Sequence, residues 1–238
     1  MKKPEASFRA ALPLALSCLV IVAFACCAGH RSPVETARIQ GRRFTLHLVP
    51  GPEYEFATKW FIFSVPIYPQ VACWIESPQG DYVDTIYVTA KGAGKTWVSA
   101  PPGGRPESLP VWFHLRKKRS AAVDTISGPT PRGDTTRDSG LAAALSSGTY
   151  VVKLEINRSC DYNERYTRAN SGVNGQPSLI YECRITVGEG PSQGIFEPIG
   201  TGSVDGSDGN IRPGLEGITT ALKLLDSAAI SYDEGAAK

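Results

Sequence analysis

The stretch Gly148–Asn157 reads GTYVVKLEIN, and its alternation decides the fold. Tyr150, Val152, Leu154 and Ile156 fall on one face, and Lys153, Glu155 and Asn157 on the other. A period of two marks a half-buried antiparallel strand, apolar toward a core and polar toward water. Residues 179–187 (LIYECRITV) repeat the pattern, with Leu179, Tyr181, Cys183, Ile185 and Val187 inward and Glu182 and Arg184 outward. Residues 70–76 (QVACWIE) and 82–89 (YVDTIYVT) flank Ser77-Pro78-Gln79-Gly80. Pro second and Gly fourth suit a β-turn, so this unit is predicted to be a hairpin. Cys73 lies with Val71 and Ile75 and is expected in the core.

The rest of the chain is built outward from these strands. Residues 43–49 (RFTLHLV) alternate and form a first strand. Residues 60–67 are apolar and aromatic, compatible with a strand or a buried loop. Residues 90–110 are a Gly/Pro-rich loop, 109–115 (LPVWFHL) a short strand, and 116–147 a long polar excursion over the surface. Residues 188–214 are Gly-rich and irregular. Residues 218–230 suit a last strand, although TTALKLL also suits a helical turn. At least six strands and no long helix predict an all-β, immunoglobulin-like antiparallel β-sandwich with long loop insertions. Composition agrees. Among the 238 residues, 42% hydrophobic and 20% charged is globular, while 24 Gly and 18 Pro argue against a helix bundle.

The N-terminus is an address. Lys2, Lys3 and Arg9 precede an apolar run over residues 10–25, broken only by Pro13, Ser17 and Cys18. That is short for a membrane span and fits a secretory signal. Ala23-Phe24-Ala25 ends it and Cys26 follows, similar to a bacterial lipobox with Ala23 where Leu is usual. The organisation expected is a signal peptide over 1–25, a lipidated N-terminus and tether over 26–42, and one sandwich domain over 43–238 with an irregular C-terminal extension. Two or three acyl chains on Cys26 would hold the protein on membrane lipid without a spanning helix. Removing Lys2, Lys3, Arg9 and Glu5 from 25 basic and 23 acidic residues leaves the two signs equal, so no nucleic-acid partner is expected.

Few residues suggest chemistry. Thr89–Thr96 (TAKGAGKT) misses a phosphate-binding loop by its first Gly, and Pro101-Pro102 forbids the helix such a loop must open into, so a flexible loop is expected. Asp205 and Asp208 sit at turn spacing, a weak calcium signal beside the plain reading of a Gly/Asp turn. Arg116-Lys117-Lys118-Arg119 is a basic run, suited to anionic headgroups or to a solvated strand end. His30, His47 and His114 belong to no metal or nucleophile motif. Cys160 and Cys183 are candidates for a disulfide if their strands pair, with two buried thiols as the alternative. No CxxC pair suggests zinc.

Several pieces in order resemble a known family. They are Pro69-Gln70-Val71-Ala72 with Trp74-Ile75-Glu76, Gly80, Tyr82-Val83 and Thr85-Ile86-Tyr87-Val88. Trp97 and Arg105 to Trp112 follow, then Asp124 to Pro131, Gly148-Thr149-Tyr150 and Glu155 to Ser159. Over residues 69–187 this resembles the predicted periplasmic family called domain of unknown function 2271. The resemblance implies an extracytoplasmic immunoglobulin-like sandwich without established enzymatic activity, whose relatives often occur near flavin transferases. It gives Asp124, Ser127, Gly128 and Thr130 a second meaning, because they match a D-x-x-S-G-A-T motif whose Thr receives FMN through a phosphoester bond. Pro129 departs from that motif, and Pro131 follows and stiffens it. The expectation is a lipid-anchored, non-enzymatic binding or accessory protein on the periplasmic face of a membrane, with an envelope protein as partner and no required cofactor. Alternatives are a redox carrier with FMN on Thr130 and a calcium-dependent structural or adhesive domain.

Overall fold

The structure is a computed structural model and describes residues 41–60, 63–94, 104–117 and 127–234. Cys26, His30 and Asp124 lie outside the described residues, as do the signal and the tether up to residue 40. The described residues all fall in one compact unit. No helix among the described residues is long and apolar enough to cross a membrane.

Two β-sheets make a sandwich. The larger runs β12-β11-β9-β8-β4-β5-β6 and the smaller β10-β13-β1-β7. In the larger, β4 (Gln70–Glu76) and β5 (Tyr82–Thr89) form a hairpin. β8 (Gly148–Asn157) pairs antiparallel with both β4 and β9 (Leu179–Val187). β11 (Glu197–Thr201) and β12 (Arg212–Pro213) extend one side, and β6 (Ser127–Gly128) pairs parallel to β5 on the other. In the smaller sheet, β1 (Arg43–Pro50) lies between β13 (Leu225–Asp233) and β7 (Thr135–Ser139), and β10 (Ser192–Ile195) pairs with β13. β2 (Phe56–Trp60) and β3 (Phe63–Ile67) form a separate two-stranded hairpin, which answers the ambiguity over residues 60–67.

Alternation positions the main core. Val152, Leu154 and Ile156 of β8 meet Phe44, Leu46 and Leu48 of β1 and Ile230 of β13 in one buried cluster. The predicted hairpin turn closes by the Gly80 N–H donating to the Ser77 carbonyl at 2.9 Å. Gly80 takes φ +89°, a backbone state open to glycine without a Cβ penalty. The C-terminal segment is part of the sandwich, since it supplies β10 and β13 to one sheet and β11 and β12 to the other.

Three sequence expectations are corrected. Residues 109–115 are no strand: helix α2 spans Pro110–Lys117, after a single-turn helix α1 (Ala90–Gly94) that begins the expected loop. Periodicity cannot separate a strand from a helix in so short an apolar run. Pro110 opens α2 at the position where its missing N–H costs nothing. The basic run therefore starts at a helix end, not a strand end, where Arg116 stacks 5.2 Å from the Trp112 ring and Lys117 4.3 Å from that of Phe113. The polar excursion carries β6, β7 and a 3₁₀ turn (Gly140–Ala144).

The disulfide is the third correction, because Cys160 and Cys183 are both free. Cys183 stands opposite Val152, eight positions before Cys160 in the chain. At about 3.3 Å per residue the two cysteines are separated by far more than a disulfide spans. Cys73 is fully buried, as expected. Burial raises the thiol pKa of Cys73 well above its ordinary value and pushes that of Cys183 up to about 12. Both are inert, structural thiols.

Candidate functional site

The face of the large sheet turned away from the sandwich core is not left to water. α2 covers it, forming a second cluster from Ala72, Trp74, Val88, Leu109, Val111, Trp112 and Ile180. Glu155 stands in this face with no exposed surface. Its Oε2 accepts the Trp112 N–H at 2.8 Å, and its Oε1 accepts the Val111 N–H at 3.2 Å and the Ser178 hydroxyl at 2.7 Å. The carboxylate thus takes up the free N–H groups of the first turn of α2, where negative charge is favoured. Burial nevertheless dominates and raises its pKa from 4.5 to about 7 against those hydrogen bonds. Gly202 lies against the group, and a Cβ there would come within 2.4 Å of Ser178 Oγ and 2.7 Å of Pro110 Cγ.

A polar seam continues from Glu155 along the sheet end. Arg158 and Asp161 are each 3% exposed and pair at 2.8 Å. Arg158 also donates to the Glu53 carbonyl, and Thr220 donates to Asp161. Asn157 donates to the Gln176 carbonyl at 3.2 Å. Arg105, at the start of the turn before α2, reaches Glu107 at 2.8 Å, Ser159 at 3.2 Å and Asn174 at 2.8 Å. These charges are committed to holding loops on the sheet.

Among the described residues, those singled out in the sequence do not converge. Asp205 accepts the Ser203 hydroxyl at 2.6 Å and the Ser207 N–H at 3.0 Å, which lowers its pKa well below the carboxylate range. Asp208 pairs with Arg212 at 2.8 Å. Each carboxylate serves its own turn, and no group of three or more His, Cys, Asp or Glu gathers among the described residues. His114 Nε2 meets the Gly206 carbonyl at 2.9 Å, fixing this loop over α2. His47 Nδ1 meets the Thr136 hydroxyl at 3.3 Å on the other sheet.

Ser127 and Gly128 are placed at the edge of the large sheet by their pairing with Val88 and Thr89. Tyr87 donates its hydroxyl to the Pro129 carbonyl at 3.1 Å, while Thr130 is half-buried and Pro131 buried. The two prolines therefore belong to an anchored edge. The residues missed in the sequence stand beside it. Arg137 stacks 5.9 Å from the Tyr87 ring and Arg132 5.5 Å from the Tyr68 ring. Tyr54 and Tyr68 are neighbours, with ring centroids 6.5 Å apart. The alternation Thr135, Arg137, Ser139 was the available signal, hidden in a stretch whose polarity resembled a loop.

An antiparallel β-sandwich whose buried charges serve its own packing defines the class. Residues 67–170 match the family described as Predicted periplasmic protein (DUF2271), so the resemblance drawn from the sequence holds over that segment. The match runs from the end of β3 into α3 (Arg168–Ser171) and covers the hairpin, the helical lid and β8. It supports export and an extracytoplasmic location. No curated protein and no solved structure matches the chain.

Proposed function

We propose that this exported chain is a binding or accessory module of the bacterial envelope, held on membrane lipid through Cys26 and without a turnover of its own. The observation that carries the reading is the commitment of Glu155, Arg158 and Asp161 to their own backbone and loops. A general acid or base must come within hydrogen-bond reach of a substrate proton. Glu155, the carboxylate whose pKa is tuned toward neutrality, lies beneath α2 with no surface exposed. An envelope protein is the natural partner of such a module.

Growth with an alkyne-bearing palmitate tests the anchor. Label should appear in the full-length protein and vanish in Cys26→Ser; label retained in the variant would refute lipidation at Cys26. A turnover by the purified chain that disappears in Glu155→Gln at unchanged melting temperature would overturn the non-enzymatic part.

A second reading is favoured by the edge strand. Ser127, Gly128 and Thr130 are held at an accessible sheet margin, with Arg132 two residues on, a setting compatible with the phosphate of a covalently joined FMN. FMN would supply the redox chemistry, and the chain would hold Thr130 in place. Co-expression with a flavin transferase should then give a fluorescent band in a denaturing gel that Thr130→Ala abolishes. A dark band beside a labelled positive control removes this reading.

A further inference from the structure

Along one side the sandwich ends on β7 in the small sheet and on β5 and β6 in the large one, and β5 and β7 face each other there. Thr135, Arg137 and Ser139 of β7 stand opposite Leu48, Leu46 and Phe44 of β1, which are buried in the core. Directly opposed residues share a face of the sheet, so Arg137 is directed between the sheets. A side-chain carbon placed at Gly128 would lie 3.6 Å from Arg137 Nε and 3.7 Å from the Tyr87 hydroxyl. Arg137, Tyr87 and the edge strand therefore meet at one point.

Arg137 stacks on Tyr87 and donates to the Thr136 carbonyl at 3.0 Å, and exposed Arg132 stacks on Tyr68, but two features of this point stay unmatched. Neither Arg137 nor Arg132 forms an ion pair with a carboxylate among the described residues. The Tyr54 hydroxyl is buried with no hydrogen-bond partner among the described residues, on a residue only 3% exposed. Its electrostatic neighbours are Tyr87, Arg137 and Tyr68, so it ends inside the same group. The carboxylate facing the cluster is that of exposed Glu55, which is engaged with Tyr68. An inward charge on an edge strand can serve simply to deter edge-to-edge aggregation. That purpose needs neither a second unpaired arginine nor an unpartnered buried hydroxyl.

We infer that the open edge between β5–β6 and β7 is a binding site for the phosphoryl group of a small soluble phosphomonoester. Arg137 and the Tyr54 hydroxyl donate to the phosphate oxygens, Arg132 adds the second positive charge, and Tyr87 positions Arg137. A phosphomonoester near neutral pH carries close to two negative charges, which two guanidiniums balance, and guanidinium is the side chain best matched to its oxygens. The rings of Tyr68 and Tyr87 offer flat apolar surface to whatever the phosphate carries. The inference requires no bond to Thr130 and stands apart from the covalent flavin.

The test is calorimetric titration of the full-length protein with phenyl phosphate, with phenol and inorganic phosphate as companions. Phenyl phosphate should bind, phenol should not, and affinity should fall at least about tenfold in Arg137→Gln, the scale of one lost charged hydrogen bond. Tyr54→Phe keeps the ring and should lose several-fold, while Thr130→Ala should bind as the parent does. Circular dichroism and melting temperature establish that the variants are folded. Equal heats from phenol and phenyl phosphate, unchanged affinity in folded Arg137→Gln, or no binding at all would overturn the inference. Binding only to vesicles containing phosphatidic acid would also overturn it, because the phosphate would then be a lipid's.

Discussion

The two faces of the seven-stranded sheet are built on opposite terms. The inner face is a run of alternating aliphatic residues, Val152, Leu154 and Ile156 among them, pressed on the small sheet. The outer face mixes two buried tryptophans with Glu76, Glu155 and Thr85, all shielded from water. Trp74 donates its ring N–H to Glu76 at 2.8 Å, and Trp112 donates to Thr85 at 2.8 Å. Lys153 pairs with Glu76 and reaches Glu182 at 3.6 Å. One face is held by area removed from water, the other by polar groups that must all be partnered once α2 covers them. The inner face should tolerate changes of shape, and the outer face should punish loss of a partner.

The largest expected effect is on the outer face. Glu155→Ala leaves two backbone N–H groups and a hydroxyl buried and unpaired, at a cost of about 3–5 kcal/mol. Urea unfolding at neutral pH reads it directly, and a loss near zero would mean that α2 detaches without consequence. On the inner face, Leu154→Ala removes a fully buried side chain and should cost about 3 kcal/mol, most of it the cavity left behind. Because the Glu155 pKa is raised on folding, its protonated form is favoured in the folded state. Its contribution is therefore present in full below pH 4.5 and is lost as pH rises to about 7. Against Glu155→Gln, the parent should lose stability progressively across that window, in melting temperatures taken at intervals of pH. Parallel curves would show that the carboxyl does not titrate there. Trp112→Phe keeps an aromatic ring but removes the pyrrole half of the indole and the bond to Thr85, which retains Tyr82 as a partner at 2.6 Å, so about 2 kcal/mol is expected, part of it the cavity. Smallest is Asp208→Asn, at a half-exposed turn residue whose solvent-screened pair with Arg212 contributes little, so the melting temperature should match the parent within error.

This contrast also explains what could be read from the chain alone. The inner strands announced themselves, and β8 and β9 occupy the predicted residues. The same alternation assigned Glu155 and Asn157 to solvent, because periodicity tells which face a residue joins but not what covers that face. The cover came from residues 109–115, whose apolar run hid a helix. Arg137 was hidden for the reverse reason. Its neighbours are polar because β7 is an edge, and an edge strand contributes few apolar residues to mark it. Positions 160 and 183 could be linked on paper because strand spacing was unknown. Pairing register, set by partners distant in sequence, places Cys183 in the middle of β9 opposite Val152 and leaves Cys160 beyond the end of β8.

The pairing of the first and last strands has a mechanical consequence. Arg43 lies opposite Asp233 and Val49 opposite Ser227, so both ends of the domain leave from the same side of the small sheet. Tension applied between residues 42 and 234 falls first on the Arg43–Asp233 pair and then on each following pair in turn. The domain would open like a zip, one rung at a time and at low force, rather than resisting as a sheared sheet does. Because β7 pairs with β1 from Phe44 onward, that opening would reach the β7 edge as soon as β1 began to move.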